Sequence, residues 1–229
     1  MSTNKEGPRA AIGSHQPAHI GELPEVDLAM TEGWGDIPGL SSTISDILDD
    51  LGYHLCVSCT AMPARSTGRC VVGRAVTLRY LPERRVRESA SDGLIHQSAL
   101  QHVSPGDVLV IEGDGAGQYS VFGGMAAHRA VQRGIAGVVV DGAVRDVDQI
   151  TDEQLPVWST GVTCVTGRGR LQGVGINVPI RIQRVQVCPG DIVIADDSGI
   201  CFVPPEVLPE VGRRLNEILA EERRILGTR

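Results

Sequence analysis

The sequence predicts one α/β domain, and three observations support that fold class. Aromatic residues make up only 3% of the 229 residues, so Val, Ile, Leu and Ala must build the core, which favours sheets with tightly packed helices. Short apolar runs typical of buried strands alternate with segments of helical periodicity. No internal linker is evident between about residues 30 and 205, which indicates a single domain.

The first element expected after the N-terminus is a helix in the segment SSTISDILDDLG. Residues 1–25 precede it without any apolar period and predict a flexible arm. Ser41 or Ser42 is expected to cap the helix, and Gly52 to follow its last turn. The apolar residues at helical spacing predict one buried face: Ile44, Ile47, Leu48 and Leu51.

The middle of the chain predicts several strands and one further helix. GRCVVGRAVTLRYLP partly alternates apolar and polar residues, as a strand does, and residues 86–102 predict a helix that Gly93 weakens. PGDVLVIEGDG at 105 is echoed by PGDIVIADDSG at 189. Both segments predict a tight turn that leads into a buried strand.

The segment GGMAAHRAVQRGIAGVVVDGAVRD, residues 123–146, predicts a helix of small residues followed by a buried strand. Gly134 is expected to end the helix, and the strand to end at Asp141 and Gly142. Residues 206–229 then predict a C-terminal amphipathic helix, so the domain itself is expected to span residues 26–205.

Composition argues against nucleic-acid and membrane partners. The formal net charge is −7, and no long basic run is available to follow a phosphate backbone. No segment approaches the roughly 20 apolar residues that cross a bilayer, and the N-terminus lacks the apolar centre of a signal peptide. We therefore expect a cytoplasmic protein with reduced cysteines. Cys56 and Cys59 form a C-x-x-C beside His54 and Cys70, which leaves open a metal knuckle or thiols without a metal.

The glycine-rich stretch GDGAGQYSVFGG fails both nucleotide-binding patterns. No Lys follows a suitable glycine pair, and Gly113 and Gly115 are followed by Gln118 instead of a third glycine. Gly123 and Gly124 open the predicted helix, where free amides and the helix dipole favour an anion. The alternative is a tight loop packed against the sheet.

Arg145 and Asp146 follow the buried strand VVVDGAV, and strand ends are favoured positions for sites in α/β proteins. The guanidinium of Arg145 offers a planar fork for a carboxylate or a developing enolate. Asp146 offers the hard oxygen that Mg²⁺ prefers. The alternative is a surface ion pair or a helix cap.

The run from GDVLVIEGDG through FGGMAAHRAVQRGIAGVVVDGAVRDVDQI, together with LPVWSTGVT and VCPGDIVIADDSGICFVP, resembles one known family. That family contains the regulator of ribonuclease E activity A and the class II aldolases for 4-hydroxy-4-methyl-2-oxoglutarate and 4-carboxy-4-hydroxy-2-oxoadipate. The resemblance covers roughly residues 40–205. Its most specific part is the pattern G-x-V-x-D-G-x-x-R-D, and STISDILDDLG also resembles the family's first helix.

The resemblance implies an α/β/α sandwich around a compact β core, of the swivelling-domain type, assembled as a homotrimer or hexamer with sites between subunits. It implies a small 2-oxo acid as substrate, pyruvate as product, and Mg²⁺ or another divalent cation such as Mn²⁺ as cofactor. Asp146 would ligate the metal and act in catalysis with Arg145. The residues implied to bind the pyruvyl end of the substrate are Gly123, Gly124, Met125, Ala126 and Arg145.

The chemistry of these residue types agrees with a Mg²⁺-dependent lyase, either an aldolase or an oxaloacetate decarboxylase. Both reactions leave negative charge on a pyruvate enolate, which a divalent cation and Arg145 can stabilise without a Lys Schiff base. One departure stands out, because aldolase members of the family commonly carry Asp or Glu where this chain has Gly124. Glu112, Asp114 or an acid of a neighbouring subunit are the candidates to replace it.

Two other functions remain open at this point. The chain resembles the regulator branch too, so it can be a non-enzymatic protein that binds a ribonuclease or helicase. That branch can lose the metal-binding Asp, and the presence of Asp146 therefore favours the enzyme. An older label in the family, menaquinone methyltransferase, is not supported, because no glycine fingerprint for S-adenosylmethionine stands out.

Overall fold

The computed structural model describes residues 18–66, 70–84, 95–113 and 117–227. Its helices are α1 (Leu40–Asp50), α2 (His96–Ala99), α3 (Gly124–Gln132), α4 (Val147–Asp152) and α5 (Leu208–Leu226). Its strands are β1 (His19–Ile20), β2 (Cys56–Ser58), β3 (Val71–Pro82), β4 (Val108–Glu112), β5 (Ser120–Phe122), β6 (Gly137–Val144), β7 (Val157–Val162), β8 (Leu171–Ile176), β9 (Ile180–Ile182), β10 (Val185–Val187), β11 (Ile192–Ala195) and β12 (Gly199–Val203).

One large sheet organises the fold around the long strand β3. Its order is β2-β12-β11-β3-β4-β6-β5, with β7 also paired to β6 and β8 paired to β3 and β1. The pairs β3–β4, β4–β6, β5–β6 and β6–β7 are parallel, whereas β11 and β8 run antiparallel to β3. Strands β9 and β10 form a separate antiparallel hairpin.

The apolar side chains divide into three layers that explain this arrangement. In β4, Leu109 and Ile111 face α3 and α4, while Val108 and Val110 face a core built almost entirely from strands. This alternation follows from the two-residue period of a strand. On the far side, α1 and α5 cover β11 and β12 through a third apolar cluster. The predicted α/β/α sandwich around a compact β core is therefore confirmed.

The first helix forms as predicted, but its N-terminal cap differs. Helix α1 begins at Leu40 after Gly39, which has φ +67° and supplies no side chain. Ser41 lies inside the helix, where its N–H and its Oγ–H donate to the carboxylate of Asp196 at 3.0 and 2.6 Å. A carboxylate distant in sequence thus satisfies the free amide at the helix start, and the predicted serine cap is wrong. Gly52, with φ +83°, follows the last turn as predicted.

The two Pro-Gly-Asp turns have closely similar geometry, as their sequences predict. Gly106 and Gly190 have φ +89° and +92°. The Asp107 carboxylate accepts from the Ser104 N–H at 2.7 Å, and the Asp191 carboxylate from the Cys188 N–H at 2.8 Å. Each turn leads directly into a strand whose apolar residues are all buried, β4 or β11.

The remaining elements agree with the sequence in part. Strand β3 lies where it was predicted, and α5 packs against α1 in the third cluster. Of the helix predicted over residues 86–102, residues 86–94 lie outside the described residues, and the rest contains the short α2. Within the predicted arm, residues 19–20 pair with β8, which attaches this part of the chain to the sheet. No helix in the described ranges is long and apolar enough to span a bilayer.

Candidate functional site

Arg145 and Asp146 lie directly after the end of β6, which is longer than predicted. The strand continues past Asp141 and Gly142 to Val144 and is buried along its whole length. The Arg145 N–H donates to the Phe122 carbonyl at 3.0 Å, which anchors the pair beside β5. Asp146 has φ +53° and ψ +47° and is the N-cap residue of α4. The left-handed backbone turns the chain sharply between β6 and α4, and Asp is one of the few residues that adopt it readily.

The carboxylate of Asp146 lies at the N-terminus of α3. Its Oδ2 is 3.2 Å from Arg145 Nε and accepts the Gly124 N–H at 3.3 Å. The positive end of the helix dipole and the guanidinium both attract a carboxylate to this position. The side chains of Arg145 and Asp146 keep 41% and 33% of their surface exposed, so both remain within reach of a small molecule.

The amides at the start of α3 differ in their availability. The amides of Ala126 and Ala127 donate to the Gly123 carbonyl, each at 2.9 Å, and the Gly124 amide donates to Asp146. The Met125 amide has no partner among the described residues. The sequence predicts that four residues, from Gly123 to Ala126, bind an anion at the start of this helix. Among the helix residues of that set, only the Met125 amide is free to donate to a ligand in the described part of the chain.

Position 123 has no room for a side chain, because Arg145 and Asp146 occupy the space beside Gly123. A Cβ built on Gly123 would lie 2.8 Å from Arg145 Cγ and 3.0 Å from Asp146 Oδ2. Its φ of −166° is extended backbone that any residue adopts, so the requirement for glycine is one of space. Because Gly123 has no Cβ, the Asp146 carboxylate can lie at the start of α3.

A small cavity of about 140 Å³ opens at this helix start. Four of the predicted site residues line it, namely Gly123, Met125, Ala126 and Arg145, whereas Gly124 and Asp146 are not among its lining residues. Among the lining residues that the sequence did not predict, three carry ionisable side chains: His96, Arg129 and Arg168. They come from α2, α3 and the loop before β8, and no local motif connects such distant positions. The volume is well below the roughly 300–1,000 Å³ of drug-sized pockets and therefore suits a small ligand.

The surroundings of His96 favour its neutral form. Burial lowers the pKa of the His96 imidazole to about 4, and the positive charges of Arg129 and Arg168 contribute in the same direction. The ring meets the Phe122 ring edge-on, with centroids 6.4 Å apart. At neutral pH the cavity therefore contains a neutral imidazole beside the guanidinium groups.

Asp146 fits a magnesium site built with a single protein carboxylate. Mg²⁺ commonly takes one or two carboxylates and fills its remaining positions with substrate and water oxygens. Asp146 Oδ1 has no hydrogen-bond partner in the described part of the chain, and the side chain is accessible. No group of three or more His, Cys, Asp or Glu side chains within the described residues offers an alternative metal site.

Glu112, one of the candidates for the missing acid, lies at a different position in the fold. Glu112 is 3.2 Å from Arg79 and accepts the Arg181 N–H at 3.3 Å, at a different cavity that Asp141 also lines. Glu112 therefore belongs to that other cavity. Asp114 lies outside the described residues.

The C-x-x-C thiols do not assemble the metal ligands that their spacing allows. Cys56 Sγ lies 3.1 Å from Cys201 Sγ across the β2–β12 pair. His54 instead contacts Asp49 at 3.2 Å and is largely exposed. In the described residues these side chains form no group of three ligands.

The fold and the site together define a class: an α/β/α protein whose Arg–Asp pair follows a buried strand and meets a glycine-rich helix start. The chain belongs to the RraA-like family, because the family description Aldolase/RraA matches residues 41–202.

Named relatives lie in both branches of that family. Protein DlpA of Legionella pneumophila is 34% identical over 187 residues, which are 81% of this chain and 29% of DlpA. The 4-hydroxy-4-methyl-2-oxoglutarate aldolase of Thermus thermophilus is 30% identical over 133 residues, 58% of this chain and 74% of that protein. Streptomyces coelicolor RraAS2, described as an unusual member of the RNase ES inhibitor RraA protein family, superposes with a TM-score of 0.77 at 28% identity. That superposition covers 90% of this chain and 99% of RraAS2.

Proposed function

We propose that the protein is a Mg²⁺-dependent carbon–carbon lyase that acts on a small 2-oxo acid through a pyruvate enolate. One observation carries the proposal: Arg145 and Asp146 lie 3.2 Å apart at the N-terminus of α3, and Arg145 lines a small cavity there. The aldolase-named relatives support this assignment. The substrate class follows from what these groups can bind, an anionic carboxylate beside a polarised carbonyl oxygen.

Each residue has a distinct role in substrate binding. The Met125 amide and the dipole of α3 attract the carboxylate of the pyruvyl end, and Gly123 and Ala126 line the cavity beside that amide. Gly124 acts at one remove, because its N–H donates to Asp146. The guanidinium of Arg145 donates to the 2-oxo oxygen. Asp146 would hold Mg²⁺, which supplies Lewis acidity to the bound 2-oxo acid.

The aldol cleavage breaks the bond between C3 and C4 of a 4-hydroxy-2-oxo acid. The electron pair of that bond moves towards the 2-oxo group, where the charge of Arg145 stabilises the resulting enolate oxygen. The 4-hydroxyl loses its proton and becomes the carbonyl of the second product. Protonation of C3 then gives pyruvate.

Decarboxylation of oxaloacetate uses the same stabilisation. Loss of CO₂ leaves the identical pyruvate enolate but requires no base to remove a hydroxyl proton. Since this chain carries Gly124 where aldolase members commonly carry an acid, we expect decarboxylation to be less impaired than aldol cleavage.

A pyruvate-release assay tests the proposal with 4-hydroxy-2-oxo acids and oxaloacetate as substrates, in Mg²⁺ or Mn²⁺ and in excess chelator. We expect pyruvate only with the divalent cation present. The matched control is Asp148→Ala, which removes an exposed acid of α4 close to the site and should leave the rate unchanged. Full activity in chelator, or no pyruvate from any substrate, would refute the assignment.

The second candidate function is regulation of a ribonuclease, which the similarity to RraAS2 supports. In that case the protein would bind a ribonuclease or helicase and would release no pyruvate from any substrate. Co-sedimentation with a purified RNase E-type enzyme, combined with the absence of turnover, would favour this function over the lyase.

We also propose a homotrimer or hexamer. The family resemblance motivates this assembly, and a core short of aromatic residues would gain burial from subunit contacts. Light scattering at micromolar concentration should give three or six times the chain mass. A monomer would contradict the assembly and any site shared between subunits.

A further inference from the structure

Two cysteines face each other at one edge of the large sheet. Strand β2 lies at that edge and pairs with β12, and Cys56 and Cys201 are direct partners in the antiparallel register. At the adjacent pair, the Phe202 N–H donates to the Leu55 carbonyl at 2.9 Å. Hydrogen-bonded and non-hydrogen-bonded pairs alternate between antiparallel strands, so Cys56 and Cys201 form a non-hydrogen-bonded pair. In such a pair the Cα atoms are about 4.5 Å apart.

This geometry suits a disulfide bond. A disulfide requires Cα atoms roughly 4.4–6.8 Å apart, and the directly opposed pair satisfies that requirement. Both side chains pack in the apolar cluster beneath α1 and α5, so they lie on the same face of the sheet. The two Sγ atoms are 3.1 Å apart, only about 1 Å beyond the length of an S–S bond. Small rotations about the two Cα–Cβ bonds can therefore bring the sulfur atoms into bonding distance.

The two thiols differ in exposure and in acidity. Cys201 is 2% exposed, whereas Cys56 is partly exposed. Their hydrogen bond lowers the pKa of the Cys56 thiol and raises that of Cys201, although burial and the charge of Asp49 oppose the shift at Cys56. The thiolate is the nucleophile in thiol–disulfide exchange. Cys56 is therefore the thiol that a reagent from solvent reaches and that ionises more readily, and Cys201 is available only to Cys56.

We propose that Cys56 and Cys201 form a redox-modification site, in which Cys56 reacts with a low-molecular-weight disulfide and Cys201 then closes an intramolecular disulfide. The Cys56 thiolate attacks one sulfur of the oxidant RS–SR, and the first RS⁻ leaves and takes a proton from solvent. The Cys201 sulfur then attacks Cys56 Sγ, and the second RS⁻ leaves with the proton of Cys201. The two cysteines lose two electrons in total, and the oxidant is reduced to two RSH.

The backbone selects Cys201 over Cys59, the other cysteine of the C-x-x-C, as the partner of Cys56. Cys59 follows directly after β2, and its N–H donates to the Ser198 carbonyl at 3.0 Å, which continues the pairing with the β12 side. Along an extended strand, residues three apart are separated by about 10 Å and project from opposite faces. A disulfide cannot bridge Cα atoms more than about 7 Å apart without backbone movement. The spacing that suggests a Cys56–Cys59 pair is therefore misleading here.

Incubation with oxidised glutathione, followed by mass spectrometry of proteolytic peptides, tests the site. The native protein should give a peptide pair joined through Cys56 and Cys201 with the loss of two hydrogen atoms. Cys201→Ser should instead carry glutathione on Cys56, because no thiol remains to displace it. Cys56→Ser should leave Cys201 reduced, because Cys201 is buried. Cys59→Ser is the matched control and should form the same cross-link as the native protein.

Thermal unfolding provides a second measurement of the same bond. The bond joins residues 145 apart in sequence, and a disulfide restricts the unfolded chain more as the loop that it closes lengthens. Oxidation should raise the Tm of the native protein by roughly 4–16 °C, and dithiothreitol should reverse that rise. Oxidised Cys56→Ser should show no such rise.

Three results would overturn the proposal. The first is a cross-link between Cys56 and Cys59, and the second is glutathione retained on Cys56 in the native protein without any bond to Cys201. The third is a Cys56–Cys201 bond that lowers the Tm, since it would show that the native strands must distort to form it. The native protein and Cys59→Ser are sufficient to distinguish these results even if Cys201→Ser does not fold.

Discussion

The side chain of Gln149 occupies the space that a side chain at Gly124 would need. A Cβ built on Gly124 would lie 1.9 Å from Gln149 Oε1 and 2.8 Å from Gln149 Cβ. Gly124 is not among the glycines with positive φ, so its backbone would accept other residues. Close approach of α4 to the start of α3 therefore requires the glycine. This packing explains physically why the chain lacks an acid at the position where aldolase members commonly carry one.

We predict that Gly124→Asp alone will not restore an acid to the site. The new Cβ meets the Cβ of Gln149, which cannot rotate away, so the variant should lose about 1–3 kcal/mol of stability, as overpacked substitutions do. Thermal unfolding measures that loss. A variant as stable as the native protein would show that α4 moves freely relative to α3.

The double variant Gly124→Asp Gln149→Gly removes the obstruction and should raise aldol cleavage relative to oxaloacetate decarboxylation. General acid–base assistance typically contributes about 10²- to 10⁴-fold, so even partial gain is measurable. The control is Gln149→Gly alone, which removes the side chain without adding an acid. An unchanged ratio of the two rates in the folded double variant would show that another residue already moves the hydroxyl proton.

Gly123→Ala should impair turnover more than stability. Its Cβ would push against Arg145 Cγ and Asp146 Oδ2, and both side chains can yield because they are partly exposed. Displacement by about 1 Å can cost on the order of 10²-fold in rate, and we expect kcat/KM to fall by that order. Gly212→Ala in α5 is the control, since its Cβ would meet only ordinary contacts at 3.5 Å and should stabilise the helix by about 0.5–1 kcal/mol. Wild-type kcat/KM in Gly123→Ala would place the reacting atoms elsewhere.

Arg145 and Asp146 should contribute through different physical effects. Asp146→Asn keeps a residue that tolerates the left-handed backbone, and it should abolish dependence on Mg²⁺ together with most turnover. Arg145→Lys keeps the charge but loses the planar fork, so kcat should still fall strongly. Steady-state kinetics across Mg²⁺ concentrations measures both effects. Native rates in both variants would refute the site.

Two buried groups, His96 and Asp191, should make the stability of the protein depend on pH in opposite directions. Burial lowers the pKa of His96 from 6.5 to about 4, so the unfolded chain binds more protons in that range and stability is lost as pH falls from 6.5 to 4. Burial raises the pKa of Asp191 from 3.8 to about 6, so the stability that its protonated form contributes is lost as pH rises through that range.

Denaturant unfolding of His96→Phe and Asp191→Asn between pH 4 and 6.5 separates the two effects. The stability of the native protein relative to His96→Phe should grow by up to about 3 kcal/mol as pH rises, at about 1.4 kcal/mol per pKa unit. Relative to Asp191→Asn it should instead decline. Parallel pH profiles for the native protein and both variants would show that neither group is perturbed by folding.

The fold could be predicted from the sequence where one local signal determines the element. The Pro-Gly-Asp turns and the buried strand after each of them needed no tertiary information, and β3 lies within the segment that predicted it. The cap of α1 could not be predicted, because Asp196 reaches it from 155 residues away. Ser41 has the residue type of a cap, but the tertiary contact determines where its hydroxyl bonds.

Only part of the candidate site, likewise, could be predicted from the sequence. Arg145 and Asp146 are adjacent in sequence, and the strand before them predicts their position. His96, Arg129 and Arg168 converge only because α2, α3 and the loop before β8 meet at one cavity. The contact between Gly124 and Gln149 depends on how closely two short helices approach, and residue types alone contain no measure of that distance.

Exchange of the pyruvate methyl protons with deuterium, followed by NMR, tests whether Arg145 and Asp146 stabilise an enolate. Exchange breaks a C3–H bond but no carbon–carbon bond, so it is independent of the substrate beyond its pyruvyl half. We expect the native protein with Mg²⁺ to catalyse the exchange, and Asp146→Asn or excess chelator to abolish it. Exchange at the uncatalysed rate with the native protein and Mg²⁺, or exchange that persists in Asp146→Asn, would contradict a pyruvate enolate formed at this site.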